Sequence, residues 1–215
     1  LRNTRHGYEA QLYTDLGNDV VNTKQSFDLV SLYLESQDYI SLKVSHLTDR
    51  PAEDFEISDG SMIPAGDYEW WDVRLLAYLG MNRLLFLRPM YRIGGFYDGT
   101  RQQIELETRY IPWPKLRLSL AYSLNLIDWD QFEDSSIHVM SGMVQYSFTP
   151  DLVLSSLIQY DDISDSIGVN SRLQWEYKPG AKMFFVINQG YVDEMTGFVI
   201  KDLELVAKVG ALFRF

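Results

Sequence analysis

Cysteine is absent from this chain of 215 residues, which excludes a disulfide framework and any thiolate metal site. No run approaches the roughly 18 consecutive apolar residues that a membrane-crossing helix needs. Basic residues are in deficit, with 19 Lys and Arg against 30 Asp and Glu and a net charge of -11. A nucleic-acid binder would carry a basic patch instead, so no nucleic-acid partner is expected. The chain starts at Leu1 with neither an initiator Met nor a basic-then-apolar signal segment, and on that ground it is read as a processed or truncated product. A mean hydropathy of -0.17 would ordinarily indicate a soluble protein, yet a half-apolar spanning strand escapes hydropathy windows.

What the chain does have is alternation. From Lys115 to Leu126, Leu116, Leu118, Leu120, Tyr122, Leu124 and Leu126 hold one parity, and Arg117, Ser119, Ala121, Ser123 and Asn125 hold the other. Successive side chains of a strand point to opposite faces, so one face is continuously apolar. A tilted strand crosses a bilayer in about 9 to 11 residues, whereas soluble strands usually run to about five or six. A one-residue slip would turn Arg117 toward lipid, at roughly 2 to 4 kcal/mol near the midplane.

Similar strands are read along the whole chain: Tyr8 to Leu16, Phe27 to Glu35, Tyr39 to Thr48, Tyr68 to Leu79, Arg83 to Gly94 and Gln102 to Tyr110. After Lys115 to Leu126 come Ile137 to Phe148, Leu152 to Tyr160, Val169 to Lys178, Met183 to Tyr191 and Asp202 to Phe215. Short turns are expected at Ser36 to Asp38, Gly80 to Asn82, Ile111 to Pro114, Thr149 to Asp151 and Pro179-Gly180. Between them lie polar loops at Gly17 to Ser26, Thr48 to Asp67, Ile127 to Ser136, Asp161 to Gly168 and Val192 to Lys201, and Asp98-Gly99 gives a hairpin signal. Short turns alternating with long loops are the habit of bacterial outer-membrane barrels, whose short turns and termini are periplasmic. The fold expected is therefore all-β: an antiparallel transmembrane β-barrel spanning residues 1–215, with twelve strands and both termini in the periplasm.

Tyr110, Trp113, Tyr146, Phe148, Trp175, Tyr177, Phe213 and Phe215 fall at the short-turn ends, as an interfacial girdle requires. The opposite parity assigns Lys43, Arg74, Arg88, Arg92, Glu105, Glu107, Arg109, Arg117, Arg172, Glu176 and Lys208 to the lumen. Such charges either pair across strands and seal a barrel or line a wet path.

Catalytic and metal chemistry find little support. The histidines His6, His46 and His138 are dispersed, and His138 and Ser141 have opposite parity, so no hydrolase constellation forms. The acid clusters Asp128, Asp130, Glu133 and Asp134, and Asp161, Asp162 and Asp165, lack the spacing of a calcium loop. No catalytic residue, metal or cofactor is expected, and the chain is read as a non-enzyme.

The terminal Phe215, with Phe213, Ala211, Val209 and Ala207 before it, looks like the C-terminal signal that barrels present to the insertion machinery. A closer likeness begins near Glu53. Phe55-Glu56-Ile57, Met62 to Tyr68, Phe96-Tyr97-Asp98-Gly99-Thr100-Arg101, Gln159-Tyr160-Asp161, Asn170 to Gly180 and Asn188-Gln189-Gly190-Tyr191 carry it. These stretches resemble the C-terminal barrel domain of unknown function number 5916. Members of that family carry a carbohydrate-binding-like domain near the N-terminus and a longer barrel. The resemblance implies either the C-terminal piece of a larger barrel, the preferred reading, or a shortened relative that closes on itself. The function expected is a pore or translocation scaffold in the bacterial outer membrane, with a passive anchor for a binding domain as the alternative. Expected partners are outer-membrane lipid and lipopolysaccharide, the insertion machinery through the last strand, and a periplasmic or surface protein.

Overall fold

The computed structural model describes residues 1–58, 61–194 and 197–211. Its strands in chain order are β1 (Asn3–Thr14), β2 (Val20–Tyr33), β3 (Tyr39–Asp49), β4 (Phe55–Ser58), β5 (Ser61–Ile63), β6 (Tyr68–Tyr78) and β7 (Leu85–Phe96). They continue with β8 (Gly99–Trp113), β9 (Leu116–Trp129), β10 (Ser135–Thr149), β11 (Leu152–Asp161), β12 (Ser166–Lys178), β13 (Ala181–Glu194) and β14 (Gly197–Ala211). No helix occurs among the described residues. Twelve strands form one sheet in sequence order, and β4 pairs with β5 in a separate hairpin. The fold is thus an all-β, up-and-down antiparallel architecture, with the twelve expected strands and two short extra ones.

Most of the expected loops are shorter than their composition implied. β2 begins at Val20, not Phe27; β9 runs to Trp129 and β10 starts at Ser135; β12 starts at Ser166; β13 reaches Glu194 and β14 begins at Gly197. The Ile111 to Pro114 turn is likewise displaced, because β8 continues to Trp113. Polarity alone points those segments toward loops, but a ladder is held by backbone N–H and C=O groups that any non-proline residue supplies. Polar side chains end the apolar stripe without ending the strand. The contrast between long-loop and short-turn ends consequently rests mainly on one insert, residues 50–67, and even that contains the β4–β5 hairpin.

The chain divides into two compact units, one built from residues 1–106 and 123–137, the other from 107–122 and 138 onward. In the first unit, β3 and β6 pair without a break from Tyr39↔Tyr78 to Asp49↔Tyr68. Alternate residues of β6 differ sharply in exposure. Trp70 is 9%, Asp72 5% and Leu76 8% exposed, while Trp71 is 54%, Val73 39% and Leu75 48% exposed. Ser26, Ser41 and Ser45 on neighbouring strands are buried as well. A water-soluble sheet would hide Val73 and Leu75 and expose Asp72. Here the sheet is inside out, with its apolar face uncovered, as a lipid-facing wall demands.

The main apolar core lies within this unit, at the insert. Ile63, fully buried, packs with Ile127 and Trp129, and around them stand Phe55, Ile57, Tyr68, Phe96, Tyr97, Phe132 and Ile137. Ring centroids are 5.5 Å apart for Phe55 and Tyr97, and 5.9 Å for Phe96 and Trp129. The insert is pinned by polar bonds: the Tyr68 hydroxyl donates to the Pro64 carbonyl at 2.8 Å, and the Ala65 N–H donates to Asp54 at 2.8 Å. Because Ile127 and Trp129 share parity with Arg117, the hairpin covers the polar-parity face where that face turns aromatic. Ile63→Ala should cost about 2 to 5 kcal/mol of local stability through the cavity it leaves. Limited proteolysis between residues 51 and 67 would read this as faster cleavage.

In the same unit, Asp38 ties two turns together. Its carboxylate accepts the Gly80 N–H at 2.7 Å, the Ser36 hydroxyl at 2.7 Å and the Arg83 guanidinium at 3.2 Å. The Gly80 bond, helped by Ser36 and Arg83, holds this carboxyl below the usual range. A depressed folded pKa adds stability that is fully present above about pH 4 and is lost as pH falls through the folded value. Acid unfolding of Asp38→Asn should therefore begin from a lower plateau and fall less steeply than that of the parent, as followed by circular dichroism.

Candidate functional site

Antiparallel partners directly opposite one another project to the same face. In the first unit this rule assembles a charged row, because Asp28 opposes Lys43, Lys43 opposes Arg74, and Arg74 opposes Arg92. One rung toward the insert, Ser26 opposes Ser45, Ser45 opposes Asp72, and Asp72 opposes Gly94. The Ser26 and Ser45 hydroxyls bond to each other at 3.1 Å. On the short-turn side, Ser41 opposes Leu76 and Leu76 opposes Met90.

Ion pairs partly balance the row. Lys43 Nζ lies 3.3 Å from Asp28 and 3.7 Å from Glu9, Arg92 Nε lies 4.0 Å from Asp72, and Arg88 lies 3.7 Å from Glu105. Two further cations join that were not anticipated. Lys24 lies within electrostatic reach of Lys43, Asp72, Arg74 and Arg92, and Arg101 within reach of Asp72 and Arg92. The Arg101 guanidinium also sits 4.1 Å over the Phe96 ring. Lys24 falls in Gly17 to Ser26, which reads as a loop, and Asp28 escapes the parity of its strand because a bulge between Asp28 and Val30 shifts it. The available signal was the polar parity of Asn22, Lys24, Ser26 and Asp28. Toward the insert, Asp49 accepts the Tyr97 hydroxyl at 2.6 Å and Asn22 at 3.3 Å. Burial first, and the Asp49 carboxylate second, push the Tyr97 phenol well above its ordinary pKa.

Of the residues assigned to a lumen, the structure thus brings Lys43, Arg74 and Arg92 together and pairs Arg88 with Glu105. Glu107, Arg109, Arg117, Arg172, Glu176 and Lys208 belong to the second unit. There the Arg172 guanidinium lies 4.7 Å over the Phe184 ring, and Lys208 opposes Phe184 in register. Arg172, Lys208 and Arg117 are exposed. Glu176 sits at the β12–β13 turn, where it accepts the Gly180 N–H at 2.9 Å and pairs with Lys182 at 3.2 Å. That role is turn closure.

The aromatic residues placed at the short-turn ends also lie in the second unit. Trp113 flanks the turn at 114–115, Tyr146 and Phe148 lie 4.9 Å apart before the turn at 150–151, and Trp175 and Tyr177 lie 6.1 Å apart before Pro179-Gly180. Tyr110, Trp113, Phe148 and Trp175 are among the large apolar side chains left exposed. Phe213 and Phe215 lie outside the described residues, whereas Ala207, Val209 and Ala211 of the expected C-terminal signal lie on β14.

The histidines are separately engaged. His6 bonds to the Leu29 carbonyl, His46 meets Glu69 at 2.8 Å, and His138 meets the Tyr122 hydroxyl at 2.9 Å. The acid clusters tie chain ends: Asp134 accepts the Trp129 N–H at 3.4 Å, Asp161 the Ile163 N–H at 2.9 Å and Asp162 the His138 N–H at 2.8 Å. Among the described residues, no group of three or more His, Asp and Glu is placed to hold a metal ion.

No protein-family model matches the chain, and no curated protein matches it. Among solved structures, a KdgM porin in complex with disordered oligogalacturonate is 12% identical, with 98% of each chain covered and a TM-score of 0.36. A second KdgM porin structure is 12% identical over 99% of this chain and 100% of that one, with a TM-score of 0.37. A NanC porin in a rhombohedral crystal form is 10% identical over 98% of this chain and 99% of that one, with a TM-score of 0.39.

Proposed function

We propose that the chain builds an integral outer-membrane β-barrel wall that acts as a pore or translocation scaffold with a charged lumen. The observation that carries this reading is the inside-out sheet: Asp72, Ser26 and Ser45 are covered while Val73 and Leu75 are exposed. Side chains of that kind hold an aqueous path on one face and lipid on the other. In the proposal, Lys43, Arg74, Arg88, Arg92 and Glu105, with Glu107, Arg109, Arg117, Arg172 and Lys208, face the lumen. The exposed rings of Tyr110, Trp113, Phe148 and Trp175 settle at headgroup depth among lipid and lipopolysaccharide, on the periplasmic side with both termini. Within this proposal the chain is the C-terminal part of a larger barrel.

One observation favours the alternative, a passive anchor: the aromatic cluster and the insert cover the polar-parity face at one end. Planar-bilayer recording separates the two. A stable open current is the expected result, and a folded but electrically silent protein would favour the anchor. Arg117→Glu, at an exposed position of the polar parity, should move the reversal potential in a KCl gradient toward cation preference. An unchanged potential would remove Arg117 from the lumen.

A further inference from the structure

We infer that the polar face of the first unit holds an oxyanion-binding site in which Arg74, Lys24 and Arg101 grip a solute bearing carboxylate or phosphate groups. It rests on the reading of this face as water-accessible. Five cations, Lys24, Lys43, Arg74, Arg92 and Arg101, gather around three carboxylates, Glu9, Asp28 and Asp72. The three carboxylates are engaged, Asp28 and Glu9 with Lys43 at 3.3 and 3.7 Å and Asp72 with Arg92 at 4.0 Å. Among the described residues, Lys24, Arg74 and Arg101 have no carboxylate within ion-pair distance.

The register makes the excess sharper. Lys43, Arg74 and Arg92 stand directly opposite one another across three strands, and like charges in that relation repel. A sheet tolerates such a row where something anionic shares it or where the row serves binding. The Nε atoms of Arg74 and Arg92 are buried, and neither has a hydrogen-bond acceptor among the described residues. A guanidinium presents its N–H groups as a planar fork that matches the paired oxygens of a carboxylate or phosphate. Lys24 on β2 and Arg74 on β6 within reach of one another, with Arg101 on β8 within reach of Arg92 and Asp72, therefore suit a multiply charged oxyanion better than a halide. The Phe96 ring under Arg101 limits the freedom of that guanidinium.

The test is isothermal titration calorimetry of the detergent-folded chain at low ionic strength with citrate and, separately, inorganic phosphate. Saturable binding of at least one is expected; citrate alone identifies carboxylate as the preferred group, and phosphate alone identifies phosphate. Arg74→Gln should weaken that binding at least tenfold, while Lys201→Gln, on β14, should leave it unchanged. If Arg74→Gln fails the heat-modifiability check for a folded barrel, Lys24→Gln carries the same expectation. Absence of saturable binding to both anions, or unaltered affinity in folded Arg74→Gln and Lys24→Gln, overturns the site. Bilayer current in a chain that binds neither anion would leave the pore reading standing and remove the site. Binding in a silent chain would retain the site and remove the pore.

Discussion

Register between β3 and β6 is the constraint on which the first unit depends. Its unbroken pairing fixes Lys43 beside Arg74 and leaves Val44 beside Val73 on the other face. Because the side-chain period of a strand is two, a slip by one residue would exchange the faces. Arg74 would then meet lipid at roughly 2 to 4 kcal/mol near the midplane, while Lys43 stayed on the polar face opposite an apolar residue of β6. The same slip would bring the leucines and valines onto a polar face. Charge and apolarity thus enforce one register from opposite sides of the sheet, and the row of cations is a product of that enforcement.

The insert answers a different problem. Where the polar-parity face reaches the end of the strands, its residues become Trp70, Phe96 and Trp129 instead of Ser, Asp and Arg, and large rings require a cover. The hairpin of β4 and β5 supplies Ile63 and Phe55, and the cluster closes with Tyr68 and Tyr97 at its rim. Two of these residues keep a polar end satisfied, Tyr68 through Pro64 and Tyr97 through Asp49. The buried ring and bonded hydroxyl of a tyrosine suit such a boundary between apolar and wet surroundings. The apolar core of the unit is therefore local to one end, and the remainder of the sheet relies on backbone pairing and on lipid contact.

Much of this was legible in the sequence because alternation is a direct imprint of a two-faced strand. Arg74, Arg88 and Arg92 were assigned to one face by parity, and the structure sets Arg74 and Arg92 in register. The reading failed where a segment was polar on both parities. Val20 to Ser26, with Asn22, Thr23, Lys24 and Gln25, has no apolar stripe, so strand and loop look alike, although the backbone ladder to Asp49 through Ser45 is complete. The hairpin of β4 and β5 was hidden for another reason, since Pro51, Pro64 and Gly66 mark irregular chain while Phe55, Ile57 and Ile63 are too few to show a period. Its partners, Ile127 and Trp129, stand more than sixty positions away, and no local pattern joins them.

Gly94 shows how the charged row and the sheet geometry depend on each other. It opposes Asp72, and a Cβ built there would lie 2.2 Å from the Trp71 carbonyl oxygen and 2.5 Å from the Asp72 Cα. Only a residue without a side chain lets β7 approach β6 this closely, and the approach seats the Asp72 carboxylate within 4.0 Å of Arg92. Gly95 repeats the device against Trp70, whose Cβ would lie 2.7 Å away. The two glycines thus hold the acidic counterweight against the cations on one side and the indole of the apolar cluster on the other. Where β7 leaves its charged rungs for its aromatic ones, close backbone packing replaces side-chain packing, and the transition from charged row to aromatic cluster takes place within two residues.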